Sequence, residues 1–341
     1  MTSVRAHAPA TFPVPEIGDV TAICEDVLWT RLRLPFQLDH VNVYFLRDGD
    51  GWAAIDTGLD DTPTRDAWRA LLEGPLGDGL TRVICTHAHP DHVGLARHLC
   101  GAAQAPLHIH PLEHAAALAL HHPLPPQAHA DRSALLDDLG LDSASRDHVL
   151  AGGERYRRMA EAPPSAFHPL TAGWLPLGGD RWEVAIGGGH SPAMATLLNR
   201  EKKLFIAADQ VLERISPNVG ISVFPPCEDP LADYLASLDA VLADVPDDVL
   251  VLPGHGVPFF GLHQRVRALQ AHHARSLRQL VAHCQAAGPS GVMELLPVMY
   301  ARPIPLPQMG FALSELLSHI RHLVRTDHLR WTPDGHRLAP H

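Results

Sequence analysis

The chain has 341 residues, 46% of them hydrophobic and 19% charged. That length is roughly two domains' worth of material, and aliphatic residues run throughout, which excludes a disordered or collagen-like chain. The formal net charge of −11, from 27 basic and 38 acidic residues, argues against general nucleic-acid binding. The balance is uneven: residues 263–341 hold nine Arg, no Lys and four acids (+5), against −16 in residues 1–262. Five widely spaced cysteines with no C-x-x-C pair argue against a disulfide framework and a Cys-type zinc site. The N-terminal residues lack an apolar core segment and no run of 18 apolar residues occurs, so a cytoplasmic protein with no membrane contact is expected. The composition does stand out in one respect, its 25 histidines.

In chain order, residues 1–18 are Pro-rich and read as an irregular lead-in. Short β-rich runs follow at 21–34, 41–46 and 52–55, the last two separated by the hairpin signal Asp48-Gly49-Asp50-Gly51. A helix is expected over 63–72, with Thr62 as its cap before Pro63. A buried strand at 82–85 runs into a histidine cluster, and further elements are a helix from 93, a strand at 107–110 and a helix at 112–120. Residues 121–170, rich in Pro, His and Ala, read as a helical insertion over one face. Strands resume at 182–186, 196–198 and 204–207, then a helix at 231–242 and a strand at 249–252. Antiparallel hairpins with interspersed helices point to an α+β domain over 19–261, a sheet-on-sheet core flanked by helices. Past Gly261, helices at 262–285, 291–299 and 311–324 and a hairpin turning at Pro333-Asp334-Gly335 are the elements of a small winged-helix-like unit over 262–341.

The chemistry is concentrated in Thr86-His87-Ala88-His89-Pro90-Asp91-His92. At the end of a strand, H-x-H places two imidazoles on one side, because strand side chains repeat every two residues. Pro90 then turns Asp91 and His92 elsewhere, so one loop can serve two neighbouring cations. His190 in a Gly-rich loop, Asp209 at a strand's end and His255 in Pro253-Gly254-His255-Gly256 also lie just past strands. Five imidazoles and two carboxylates suit two borderline divalent metals such as zinc, with iron or manganese as alternatives.

This constellation resembles the metallo-β-lactamase fold superfamily over residues 20–260. The H-x-H-x-D-H motif stands as His87, His89, Asp91 and His92, and the early aspartate motif as Asp56-Thr57-Gly58. The resemblance implies an αββα sandwich, one metal on His87, His89 and His190, a second on Asp91, His92 and His255, and Asp209 bridging. Asp56 would orient a ligand imidazole, or bond the backbone of the Thr57-Gly58 turn, or both. Two such metals could share a water, lower its pKa to roughly 7 and release a bridging hydroxide for hydrolysis. Asp91 is the candidate catalytic residue, orienting that nucleophile and taking its proton.

The chain carries Asp209 where the archetypal β-lactamases carry Cys, and it has His92, which they lack, so an antibiotic-degrading role is set aside. Residues 209–218 and 229–238 resemble the glyoxalase II-like branch, which implies a small-molecule thioester or related small ester as substrate. The alternatives the family offers are a metal-dependent ribonuclease or phosphodiesterase, a lactonase, and a mononuclear-iron persulfide dioxygenase-like enzyme. Met194 beside the metal loop, and Arg214, Asn218 and Tyr234 after Asp209, are candidate substrate contacts. The tail's scattered arginines, without interleaved aromatics, favour packing and a homodimer contact over nucleic-acid binding. The pairs His121-His122 and His272-His273 are expected in solvent, and His108 and His110 mimic an H-x-H site with no carboxylate following.

Overall fold

The computed structural model describes residues 8–221 and 226–341. Two seven-stranded mixed sheets form its centre. The first runs Val20–Cys24, Val27–Arg33, His40–Asp48, Gly51–Ile55, Leu80–Ile84, Leu107–Ile109 and His168–Pro169. The second runs Ala8–Pro9, Phe259–Phe260, Leu250–Pro253, Leu204–Ala208, Met194–Asn199, Asp180–Gly187 and Gly173–Leu177. Strand alternation sorts the apolar residues into layers. Trp29, Tyr44, Leu46 and Ile55 meet Trp182, Val184, Leu197 and Ile206 between the sheets. The opposite faces bury Val43, Phe45 and Val83 against Trp68, Leu71 and Leu99 of the helices Thr62–Glu73 and Ala96–Ala103. On the far side Phe205 and Val251 pack on Tyr234 and Leu238 of Pro230–Asp244 and on Val266 and Leu269 of Leu262–Ala287. The result is the expected αββα sandwich.

Some local expectations shift. The helix Thr62–Glu73 is capped by Asp61, whose side chain accepts the Thr64 N–H at 2.8 Å, rather than by Thr62. The strand Gly173–Leu177 was not anticipated. It pairs with Asp180–Gly187 through Gly178 and Gly179, both at positive φ, as a two-residue hairpin requires.

The insertion comprises Pro126–Asp138, Ser143–Leu150 and Gly152–Met159. It does more than cover one face. Leu136, Leu141 and Val149 share an apolar cluster with Leu280, Leu295, Leu313, Leu316 and Leu329 of the tail. The tail has the expected elements: Leu262–Ala287, Val292–Met299, Met309–Arg325 and the hairpin Leu329–Trp331 with Leu338–Pro340. Among the described residues no helix is long and apolar enough to cross a membrane.

Candidate metal centre

Five strands end at one rim, and each delivers a polar residue there. Gly51–Ile55 leads into Asp56, Leu80–Ile84 into Thr86 and His87, Asp180–Gly187 towards His190, Leu204–Ala208 into Asp209, and Leu250–Pro253 towards His255. The backbone is bent to allow it, with Asp56 at φ 68° and Ala208 at φ 45°. Gly254 must lack a side chain, since a Cβ there would lie 2.2 Å from Asp209 Oδ1.

The seven motif residues converge. His87 Nε2 lies 2.9 Å from His89 Nδ1, and these two with His190 form one group able to hold an ion. Asp91, His92 and His255 form another, with Asp91 Oδ2 3.4 Å from His255 Nε2 and 3.6 Å from His92 Nε2. Asp209 Oδ2 stands between them, 3.4 Å from His190 Nε2, 3.3 Å from His255 Nε2 and 3.6 Å from His92 Nε2.

The far nitrogens of four imidazoles are pinned. His92 Nδ1 bonds Asp56 Oδ2, His190 Nδ1 the Asn218 carbonyl, and His255 Nδ1 the His40 carbonyl, each at 2.8 Å. His87 Nδ1 meets Thr86 Oγ1 at 2.9 Å. A carboxylate or carbonyl acceptor there puts the proton on Nδ1 and leaves Nε2 as a lone pair facing inwards. His92 Nε2, His190 Nε2 and Asp209 Oδ1 are buried with no hydrogen-bond partner. Orphaned lone pairs on a His and carboxylate donor set fit divalent cations, because an unmatched buried acceptor costs about 1–3 kcal/mol.

The charges agree with that geometry. Burial drives the His87 and His89 pKa values well below the usual imidazole range, keeping both rings neutral and able to ligate. Burial also opposes charge on His92, but the Asp91, Asp56 and Asp209 carboxylates outweigh it and hold His92 well above that range, so a proton takes the inward Nε2 position that a bound cation would displace it from. Burial likewise opposes charge on Asp209, yet His255 and His92 keep its carboxyl well below the usual value.

Asp56 orients His92 and also accepts the Thr86 N–H and Oγ1–H at 2.8 and 2.9 Å. No bond to the Thr57-Gly58 turn accompanies these. Sequence reasoning missed Glu113. This fully buried carboxylate accepts the Ala88 N–H at 2.8 Å, the Ser191 hydroxyl at 2.8 Å and the Ala193 N–H at 2.5 Å. It thereby clasps the loop of His87 and His89 to the loop of His190. Tyr156, from the insertion, donates to the Ala88 carbonyl at 2.8 Å.

The candidate substrate contacts fare differently. Met194 and Tyr234 are fully buried, so neither lines an open pocket. Met194 is paired with Gly187 inside the second sheet, and Tyr234 donates its hydroxyl to the Gln210 carbonyl at 3.1 Å. Asn218 holds His190 through its backbone and the Phe311 carbonyl through its side chain, which makes it a support for the centre. Arg214 is paired with Glu213 at 3.1 Å but its side chain stays 78% exposed. His273 is fully buried, not solvated.

An αββα sandwich whose rim gathers five histidines and two aspartates defines a metal-dependent hydrolase. Residues 37–255 match the Metallo-beta-lactamase superfamily, and residues 277–338 match the family described as Metallo-beta-lactamase-like, C-terminal domain. The chain belongs to the metallo-β-lactamase superfamily. It is similar to a beta-lactamase domain protein from Burkholderia ambifaria, with 32% identity, a TM-score of 0.86 and coverage of 98% of both chains. A metallo-beta-lactamase family protein from Thermus thermophilus is 29% identical at a TM-score of 0.77, over 94% of this chain and 100% of that one. A metallo-beta-lactamase from Erythrobacter litoralis, 18% identical at a TM-score of 0.52 over 76% of this chain and 99% of that one, shares the fold. No curated protein matches the chain.

Proposed function

We propose that the chain is a dinuclear metal hydrolase of a thioester or related small ester, with a glyoxalase II-like character. One cation, zinc by preference, would rest on His87, His89 and His190, the other on Asp91, His92 and His255, with Asp209 shared. The observation that carries this is the enclosed cluster of unpartnered lone pairs on His92, His190 and Asp209. When bound, two such cations would lower the pKa of a water held there to roughly 7 and polarise the carbonyl under attack.

The chain's own residues supply orientation and proton handling. Asp91 is 17% exposed while Asp209 and His190 are 7% exposed, so Asp91 is the carboxylate facing incoming substrate. Its oxygen would orient the attacking water and accept its proton, then return it to the departing thiolate or alkoxide. Asp56 keeps the His92 lone pair pointed inwards throughout. Four of the tail's nine arginines are engaged within the chain, which favours a small ester over RNA. Arg265 donates to the Leu212 and Ile215 carbonyls and Arg321 to the Cys227 carbonyl, while Arg337 pairs with Glu294 and Arg325 with Glu228. Guanidinium groups committed in this way do not build a phosphate track.

Metal content per chain, measured together with turnover on a thioester panel, tests the proposal. Two metals, and turnover abolished in Asp91→Ala, would support it. One iron per chain with no hydrolysis of any thioester would overturn it in favour of persulfide oxidation.

A further inference from the structure

A second group of metal-type donors lies outside the rim, where the helix Leu262–Ala287 meets the tail helix Met309–Arg325. His272, His273 and Glu315 each bring a ligand atom within 4.8 Å of the other two. We propose that these three residues form a separate mononuclear site for a borderline divalent cation such as zinc, tying the helix Met309–Arg325 to Leu262–Ala287, the tail helix that packs on the sandwich.

The hydrogen bonds around the group fix which atoms are free. His319 Nδ1 lies 2.8 Å from the Glu315 backbone carbonyl, which can only accept, so the proton of that ring is on Nδ1. His319 Nε2 is then an acceptor, and His273 Nδ1, 3.1 Å away, must donate to it. That leaves His273 Nε2 as a bare lone pair. It is buried with no hydrogen-bond partner. The arrangement is the one a ligand histidine adopts, its second nitrogen donating to an acceptor that sets the ring's tilt. Burial supports the assignment, holding His273 at a pKa of about 3 and His319 at about 4, so both rings are neutral.

Glu315 is built in the same way. Its Oε2 accepts the Tyr300 hydroxyl at 2.6 Å, and its Oε1 is buried without a partner. Glu315 is 8% exposed and His273 fully buried, so neither lone pair is left to bulk water. An imidazole nitrogen and a carboxylate oxygen cannot satisfy each other unless a proton or a cation lies between them. His272 is half-buried, its ring 5.2 Å from that of His273, and it offers the third nitrogen and the side open to solvent. Two nitrogens and one oxygen are a borderline donor set, suited to zinc. The His273 ring also meets Tyr234 at 5.4 Å, and the Tyr234 hydroxyl bonds the carbonyl of Gln210, next to Asp209. A cation here would thus hold the two tail helices together beside the helix Pro230–Asp244, behind the rim.

The decisive experiment strips the full-length protein with a chelator, titrates it with Zn(II) and counts zinc per chain after gel filtration. Glu315→Gln should bind one equivalent fewer than the wild type, or bind it at least about tenfold more weakly, and should lose part of the zinc-dependent rise in melting temperature. The amide keeps the shape of the site and can still accept the Tyr300 hydroxyl, so this variant tests ligation rather than packing. His273→Ala should lose the same equivalent. Identical zinc content and identical zinc-dependent melting in the wild type and Glu315→Gln would overturn the proposal and leave the group as a buried polar network.

Discussion

At the rim of the sandwich, loops far apart in the chain are joined by hydrogen bonds to a few buried polar hubs, Glu113 and Asp56 above all. The insertion and the tail, equally far apart in sequence, meet instead through leucines: Leu136 and Leu141 on one side, Leu280, Leu295, Leu313 and Leu316 on the other. The two modes fail differently. An apolar cluster loses stability in proportion to the volume removed and keeps its partners roughly in place. A polar hub strands every donor it served, and the loops it held are those that carry the ligands. The rim therefore gains geometric definition at the expense of tolerance, while the tail cluster gains tolerance.

Glu113→Ala should break this contrast most severely. It leaves the Ala88 and Ala193 N–H groups and the Ser191 hydroxyl without their acceptor in a buried site. Each buried donor left without its acceptor costs roughly 1–3 kcal/mol. Metal affinity should fall with it, since the loops of His87 and His190 lose their common clasp. Denaturant unfolding and metal content measured on one preparation would check both, and a variant with wild-type stability and full metal would show that Glu113 is not the hub described.

Leu316→Ala is the counterpart in the tail. Leu316 is fully buried in the cluster shared with the insertion, so truncation should cost about 2–5 kcal/mol. The rim ligands are untouched, so metal content at low temperature should match the wild type. Native-state hydrogen exchange should show protection lost jointly in the helices Pro126–Asp138 and Met309–Arg325. Loss confined to the tail helix would mean that the insertion and the tail do not stabilise each other.

The same contrast explains what can be read from sequence. The rim is legible because the H-x-H-x-D-H motif is local, and its partners His190, Asp209 and His255 each follow a recognisable strand. Glu113 is not, because a single glutamate 21 residues after His92 has no spacing rule; its one signal is a lone charge among the alanines and leucines of Pro111–His121. The His-His doublet points His273 wrongly towards solvent. The better signal is its place in the stripe Val266, Leu269, His273, Ser276, Leu280 and Cys284, which follows helical spacing and is buried throughout. Closeness to His190 in sequence draws Met194 towards the substrate, but strand pairing with Gly187 turns that position into the sheet. The helical insertion is visible as an insertion, yet its apolar partners lie beyond residue 277, and no local pattern states that pairing.

The smallest effect separates the two settings in which this chain uses histidine. His92 and His255 overcome burial through the carboxylates around them and are pushed up, whereas for His108 the Asp48 carboxylate is outweighed. Burial, then Arg82 and His168, lower His108 to about 4, with its ring stacked on His168 at 4.9 Å. A depressed imidazole pKa means that between about 6.5 and 4 the unfolded chain takes up a proton that the folded chain refuses. Stability from this group is therefore complete above pH 6.5 and is lost as the pH falls towards 4. His108 is only half-buried, so the loss should stay below about 2 kcal/mol. Melting curves of the wild type and His108→Asn from pH 7.5 to 4.5 should show the wild type losing more of its melting temperature than the variant. Equal losses would place the acid sensitivity of the fold elsewhere, and would mean that the stacked pair, unlike the rim, has no part in setting it.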